Sequence, residues 1–260
     1  MTSLAFALRL NAASCLGFGG LFATRPGMVA ASLGAVPPMV VFWIGIALLF
    51  NGAHLVLASL RKRPLRAEVL WFALGDIVWW LASLALIAAG IWITSAEGIA
   101  LAGGVAVFVV GIGATQLFLL GIERSGQTAR GQWQRIGQSW LSLPLRVKLW
   151  LFALNAVFLA APAFMAWDAA RVVLIGYVAS GPLLLGFAGH AGGLTRHMGI
   201  AHLVPFTPML VWLVMHAGLL DRTAAGFGFG ILFAAMVAVC LGFDVYDLIR
   251  WLRGDRDILV

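Results

Sequence analysis

An ionisable or amide side chain inside an apolar helix is costly to desolvate, so each one marks either a helix contact or a site. Six fall within four long apolar runs of this sequence: Arg9 and Asn11, Asn51 and His54, Asp76, and Gln116. Counted along alternating helices from their positively charged ends, all six lie within about three turns of one surface. Ala47, Asn51 and His54 sit at i, i+4, i+7, and Asp76, Trp79 and Ser83 at i, i+3, i+7, so each set forms one helical stripe. Such a layer does one of two things. An Asp76–Arg9 ion pair, with the amides satisfying the remaining lone pairs, would fasten four helices together; a polar pocket open to the cytoplasm would bind a small ligand or a proton. Arg9 and Asn11 are about 200° apart on a helix, so they do not face one partner, and Arg9 is free to snorkel to the headgroups.

The second half repeats the bias, with Asn155, His190, His202, Asp244 and Asp247 gathered toward the same side as a secondary polar cluster. Asp247 with Arg250 also fits a solvated i, i+3 pair. His202 and His216 would be about 40° apart on one helix and about 21 Å along it, a spacing that suits two stacked haems. His54 is the one histidine within another span, which leaves a single haem between His54 and His202 or His216 as the redox alternative. No other cofactor is expected. A Ser180–His190 dyad is excluded because the two would lie some 15 Å apart along one helix. The chain has no paired-carboxylate, HExxH or P-loop pattern, and Cys15 and Cys240 read as small buried hydrophobes, so neither catalytic nor metal-binding residues are assigned.

Composition says what carries these residues. Hydrophobic residues make up 62% and charged residues 10%, with a mean hydropathy of +1.01, far from a soluble domain. The expected fold is an all-α, polytopic integral membrane protein of about eight spans in two four-helix halves. The net charge of +7 reflects basic residues concentrated in loops between spans, so orientation in a bilayer explains it and nucleic acid is not an expected partner. The first run lacks a basic flank and a small-residue cleavage site, and is expected to be a retained span.

The spans are expected at about 4–24, 39–60, 69–93, 99–120, 149–166, 172–187, 200–219 and 224–248, each long enough for a hydrocarbon core that needs about 20 residues. Breaks fall at Arg25–Met28, at Arg61–Arg66 with four basic residues in six, and at the turns Thr94–Gly98 and Leu219–Thr223. Pro205 and Pro208 predict a kink in the seventh span. A polar interval, Gly121–Lys148, divides the chain, giving a first bundle at 1–121, a linker at 122–148 and a second bundle with a short basic tail at 149–260. Trp133, Ile136 and Trp140 fall at i, i+3, i+7 within it, as in a helix lying in the headgroup plane, and Pro144 ends that helix. With the linker inside, 13 of 17 basic residues are cytoplasmic and Arg25, Arg171 and Arg222 external, which predicts a bacterial inner-membrane protein with both ends of the chain cytoplasmic. Leu10–Ala12 recurs as Leu154–Ala156, which raises a parallel duplication of the two halves.

The Leu8–Ala12 string LRLNA, Pro26 after the first span and the D-x-x-W of Asp76–Trp79 resemble a class of small bacterial four-span membrane proteins of unassigned function. The resemblance covers about 115 residues and implies a four-span helical unit, with no activity to carry over. The expectation for function is a non-enzymatic protein binding or moving a small solute, proton or lipid-like ligand at the cytoplasmic-side polar layer. A structural subunit of a larger membrane complex is the alternative, and a haem-binding redox protein a third. Expected partners are the lipid bilayer and other membrane proteins or further copies of this chain.

Overall fold

The computed structural model describes residues 3–164, 167–216 and 225–259. Among them are ten α-helices and no strand, and eight helical segments are long and apolar enough to cross a membrane. The protein is an all-α polytopic membrane protein. Its contacts divide it into two compact units, Met1–Arg124 and Ser125–Val260.

The first unit comprises α1 (Ser3–Thr24), α2 (Pro26–Leu33), α3 (Pro38–Leu60), α4 (Arg66–Ala89) and α5 (Ala96–Ser125). Proline opens α2 and α3, where a missing N–H costs nothing. The closest pairing is α1 with α3, and glycine permits it. A Cβ on Gly45 would stand 2.6 Å from the backbone nitrogen of Ala23, and one on Gly19 2.9 Å from that of Leu49, as in small-residue packing between membrane helices. Gly113 on α5 does the same against α4, where a Cβ would come within 2.8 Å of the Asp76 Cβ. Toward the end that carries the basic residues, Leu4, Leu8, Ala12, Leu55, Val69, Phe72 and Leu120 join all four spans in one apolar core.

The opposite end differs from expectation. The break after Thr24 is followed by the short helix α2, and α4 stops at Ala89 with Gly90 in the left-handed conformation (φ 63°), four residues before the expected boundary. The chain from Gly90 to Ser95 is then used as a clasp: Ala35 N donates to Trp92 O (3.0 Å) and Thr94 N to Leu33 O (2.9 Å). These contacts satisfy backbone groups that the helix ends leave open.

The second unit holds α6 (Ala129–Ser142), α7 (Leu145–Ala160), α8 (Asp168–Ala191), α9 (Ile200–His216) and α10 (Ala225–Leu252). Pro162 coincides with a change from α to 3-10 geometry at Ala161–Phe164, whereas α9 runs through Pro205 and Pro208 as one element. The core is aromatic: Phe158 packs on Tyr177 (5.1 Å between ring centres), Phe206 (5.3 Å) and Phe233 (5.8 Å), which ties α7, α8, α9 and α10 together. The turn expected at Leu219–Thr223 and the opening of the eighth span at Ala224 lie outside the described residues, as do the last two residues of the expected fifth span.

α6 is where the linker expectation said. Thr128 caps it by accepting from Gly131 N (3.1 Å), and it stops before Pro144. The side turned to protein is the polar one. Gln132 and Ser139 are buried while Trp133 and Trp140 are exposed. Gln132 Nε2 donates to Gly189 O, Ser139 Oγ donates to Leu259 O (2.7 Å), and Leu194 N donates to Ser139 Oγ (3.1 Å). Leu259 N in turn donates to Leu194 O (2.8 Å).

Candidate functional site

Asn11 lies eight residues into α1, Asp76 ten into α4, and Asn51 nine before the end of α3. At about 1.5 Å per residue each is about 12–15 Å from the basic end of the first unit, one depth on three helices. The side chains meet there. Asn11 Nδ2 donates to Asp76 Oδ2 at 2.8 Å, with Asn11 fully buried and Asp76 5% exposed. Asn51 Nδ2 donates to Cys15 Sγ at 3.5 Å, and Cys15 Sγ donates to Asn11 Oδ1 at 3.6 Å. A relay Asn51–Cys15–Asn11–Asp76 therefore links α3, α1 and α4.

This relay forms one wall of a partly open cavity of about 470 Å³, lined also by Ser14, Phe18, Ile44, Gly75 and Trp79. A second, more apolar cavity of about 480 Å³ shares Phe18, Phe22, Ile44, Trp79 and Val105 with the first and extends to Val36 and Ile93 at the opposite end. Together they make a groove with amides and a carboxylate at one end and hydrocarbon along the rest. The indole N–H of Trp79, whose ring lines both compartments, is buried without a hydrogen-bond partner.

The other expected members of the layer do not join it. Arg9 is exposed, and Asp76 takes its hydrogen bond from Asn11 in place of the expected Arg9 pair; an arginine that close to the helix end reaches water more cheaply than it is buried. His54 Nε2 lies 3.1 Å from Glu68 Oε1, and Arg61 contacts the other oxygen of the same carboxylate. Glu68 was not singled out because it stands in the first turn of α4 next to the basic loop, where a carboxylate needs no special explanation. Gln116 is fully buried, lines neither compartment, and neither amide atom has a partner.

The second polar cluster resolves into separate contacts. Asn155 donates to Leu151 O (2.7 Å) and accepts from Tyr177 Oη (2.6 Å), joining α7 to α8. His190 lies half-buried in the last turn of α8. Asp247 accepts from Arg196 (2.8 Å), which also donates to Asp255 (2.8 Å), so it serves a salt-bridge network rather than an Arg250 pair. His202 Nδ1 stands 3.2 Å from Asp244 Oδ2, and the Cys240 thiol is 3.4 Å from the same oxygen. Cys240 was missed as a polar partner. It looks apolar in a run of apolar residues, and its neighbour His202 is 38 positions away on another helix. His216 Nδ1 is 2.8 Å from Trp212 O, and its ring stacks on Trp212.

No protein-family model matches the chain, and neither a curated protein nor a solved structure is significantly similar to it. The class, a polytopic helical membrane protein, thus rests on the chain's own hydropathy and architecture.

Proposed function

We propose that the protein is a non-enzymatic inner-membrane protein that binds or moves a lipid-like amphiphile in the groove of its first unit, with the basic linker facing the cytoplasm. The amphiphile's head would sit at Asn11, Asn51 and Asp76 and its apolar body along Phe18, Phe22, Ile44 and Trp79. The observation that carries this reading is Asp76, the one ionisable residue among the buried polar groups described. It stands at the polar end of a groove otherwise walled by hydrocarbon. A carboxyl group whose hydrogen bond comes from the single Asn11 amide favours a head that brings hydrogen-bond donors and positive charge, such as an ammonium group, since a neutralised pair is far cheaper to bury than a lone charge.

The test is native mass spectrometry of the full-length protein released gently from its membrane, with extraction and identification of what it retains. A bound amphiphile with an amine or hydroxyl-rich head, retained by the parent and lost from Asp76→Asn, supports the reading. Recovery of nothing beyond bulk lipid, in equal amounts from both proteins, would refute it.

A further inference from the structure

His202 on α9 and Cys240 and Asp244 on α10 bring three different donor atoms to one point. Among the described residues theirs is the one group of three such side chains whose donor atoms converge within 4.8 Å of one another. Nδ1 of His202, Sγ of Cys240 and Oδ2 of Asp244 form a triangle with sides of 3.2, 3.4 and 3.9 Å. A tetrahedral zinc ion with bonds of about 2.0–2.1 Å to nitrogen and oxygen and about 2.3 Å to sulfur requires sides of about 3.3, 3.5 and 3.6 Å. The observed triangle is within a few tenths of an ångström of that, and its centre is about 2 Å from each corner, room for one ion. As a hydrogen-bonded group the same atoms fit less well. Nδ1 is almost equidistant from both carboxylate oxygens, at 3.3 and 3.2 Å, longer than the roughly 2.7–2.9 Å of a charge-assisted N–H···O bond.

Local packing holds the three in place. Cys240 and Asp244 are one helical turn apart, so both project from one face of α10. Gly199, at the entrance to α9, lets the helices approach: a Cβ there would stand 3.0 Å from the Asp244 Cβ. The imidazole is fixed by stacking on Phe206, 5.0 Å between centres and 17° between planes. All three ligands are largely buried, His202 and Asp244 at 16% and 15% side-chain exposure and Cys240 at 4%.

We propose that His202, Cys240 and Asp244 form a site for a divalent metal ion of the zinc class, with its fourth coordination position left for water or an exogenous ligand. Charge favours the assignment. A thiolate, a carboxylate, a neutral imidazole and a dication sum to zero, which suits a buried site. Binding replaces the thiol proton, which leaves to solvent, with the metal–sulfur bond. The site lies wholly within the second unit and does not depend on the groove of the first, so either can fail alone.

Cobalt(II) is the probe. The full-length protein, freed of any affinity tag and treated with chelator, is titrated in detergent while its absorption is recorded. The expected result is one equivalent of cobalt bound, with a near-ultraviolet thiolate-to-cobalt band and intense visible bands of tetrahedral geometry, all displaced by zinc. Cys240→Ser should abolish the thiolate band, and His202→Gln should weaken binding at least about a hundredfold, the upper end of what even an outer-shell change costs. Cys15→Ser, in the first unit, should leave the cobalt spectrum unchanged. Absence of the thiolate band in the parent protein overturns the proposal without reference to any variant, as does a band that survives Cys240→Ser or disappears in Cys15→Ser.

Discussion

Replacing Asp76 with asparagine separates a carboxylate that fastens helices from one that holds a ligand. The amide keeps the shape of the carboxylate and still accepts the 2.8 Å bond from Asn11 Nδ2. The loss is any difference in strength between that bond and its amide replacement, about 1 kcal/mol; the gain is relief from desolvating an ionisable group where only 5% of the residue is exposed. These effects oppose, so basal stability should stay within about 1 kcal/mol of the parent. Ligand response should not survive. A long-chain primary amine at a hundred times its Kd would stabilise the parent by about 2.7 kcal/mol, and the variant hardly at all. The assay is thermal unfolding in a mild detergent with the amine and with a carboxylic acid of equal chain length, the acid serving as the like-charged control. Asn11→Ala, by contrast, leaves a buried carboxylate without its donor and should cost about 1–3 kcal/mol before any ligand is added. The reasoning is refuted if Asp76→Asn costs about 3 kcal/mol or more while the amine still stabilises the protein, which is how a structural charge losing its partner behaves.

Other outcomes follow from the same geometry. Gln116→Leu should raise stability, by up to about 1–3 kcal/mol, because it removes a fully buried amide with no partner; a loss of that size in thermal unfolding would mean that Gln116 has a polar role. Gly113→Val should destabilise the first unit by about 1–3 kcal/mol and weaken amine binding, since even a Cβ there meets the Asp76 side chain at 2.8 Å. Gln132→Ala should loosen α6, read as faster hydrogen exchange at Ala129–Ser142, whereas Trp133→Ser and Trp140→Ser should leave exchange unchanged and reduce quenching by brominated lipids. Cysteines introduced at Glu97 and Asp168 should react with an impermeant external thiol reagent and those at Lys62 and Gln127 should not; labelling at Lys62 from outside reverses the orientation.

The spans were legible because each carries about 20 apolar residues between polar breaks, and the shared depth of Asn11, Asn51 and Asp76 followed from counting turns. Which of those side chains touch was not legible. Depth fixes only one coordinate, and the rotation that brings Asn11 rather than Arg9 to Asp76 is set by Gly19, Gly45 and Gly113, whose contacts lie on other helices. Which residues of α6 meet protein was not legible for a related reason. Periodicity marks where apolar residues lie but not whether they turn to protein or to lipid, and in a membrane protein the polar stripe is the one that needs protein partners. The same rule hid Cys240 and the short helix α2, whose environments depend on long-range contacts.

Photoaffinity labelling tests the central claim most directly. A long-chain primary amine carrying a diazirine partway along its chain is activated with the protein in membranes, and the modified residues are mapped by peptide mass spectrometry. The account predicts labels concentrated on Phe18, Phe22, Ile44 and Trp79, displaced by excess unlabelled amine and lost in Asp76→Asn. Labels spread over outward-facing residues such as Trp43, Phe50 and Leu57, which are more than 60% exposed, and unchanged in Asp76→Asn, would contradict it.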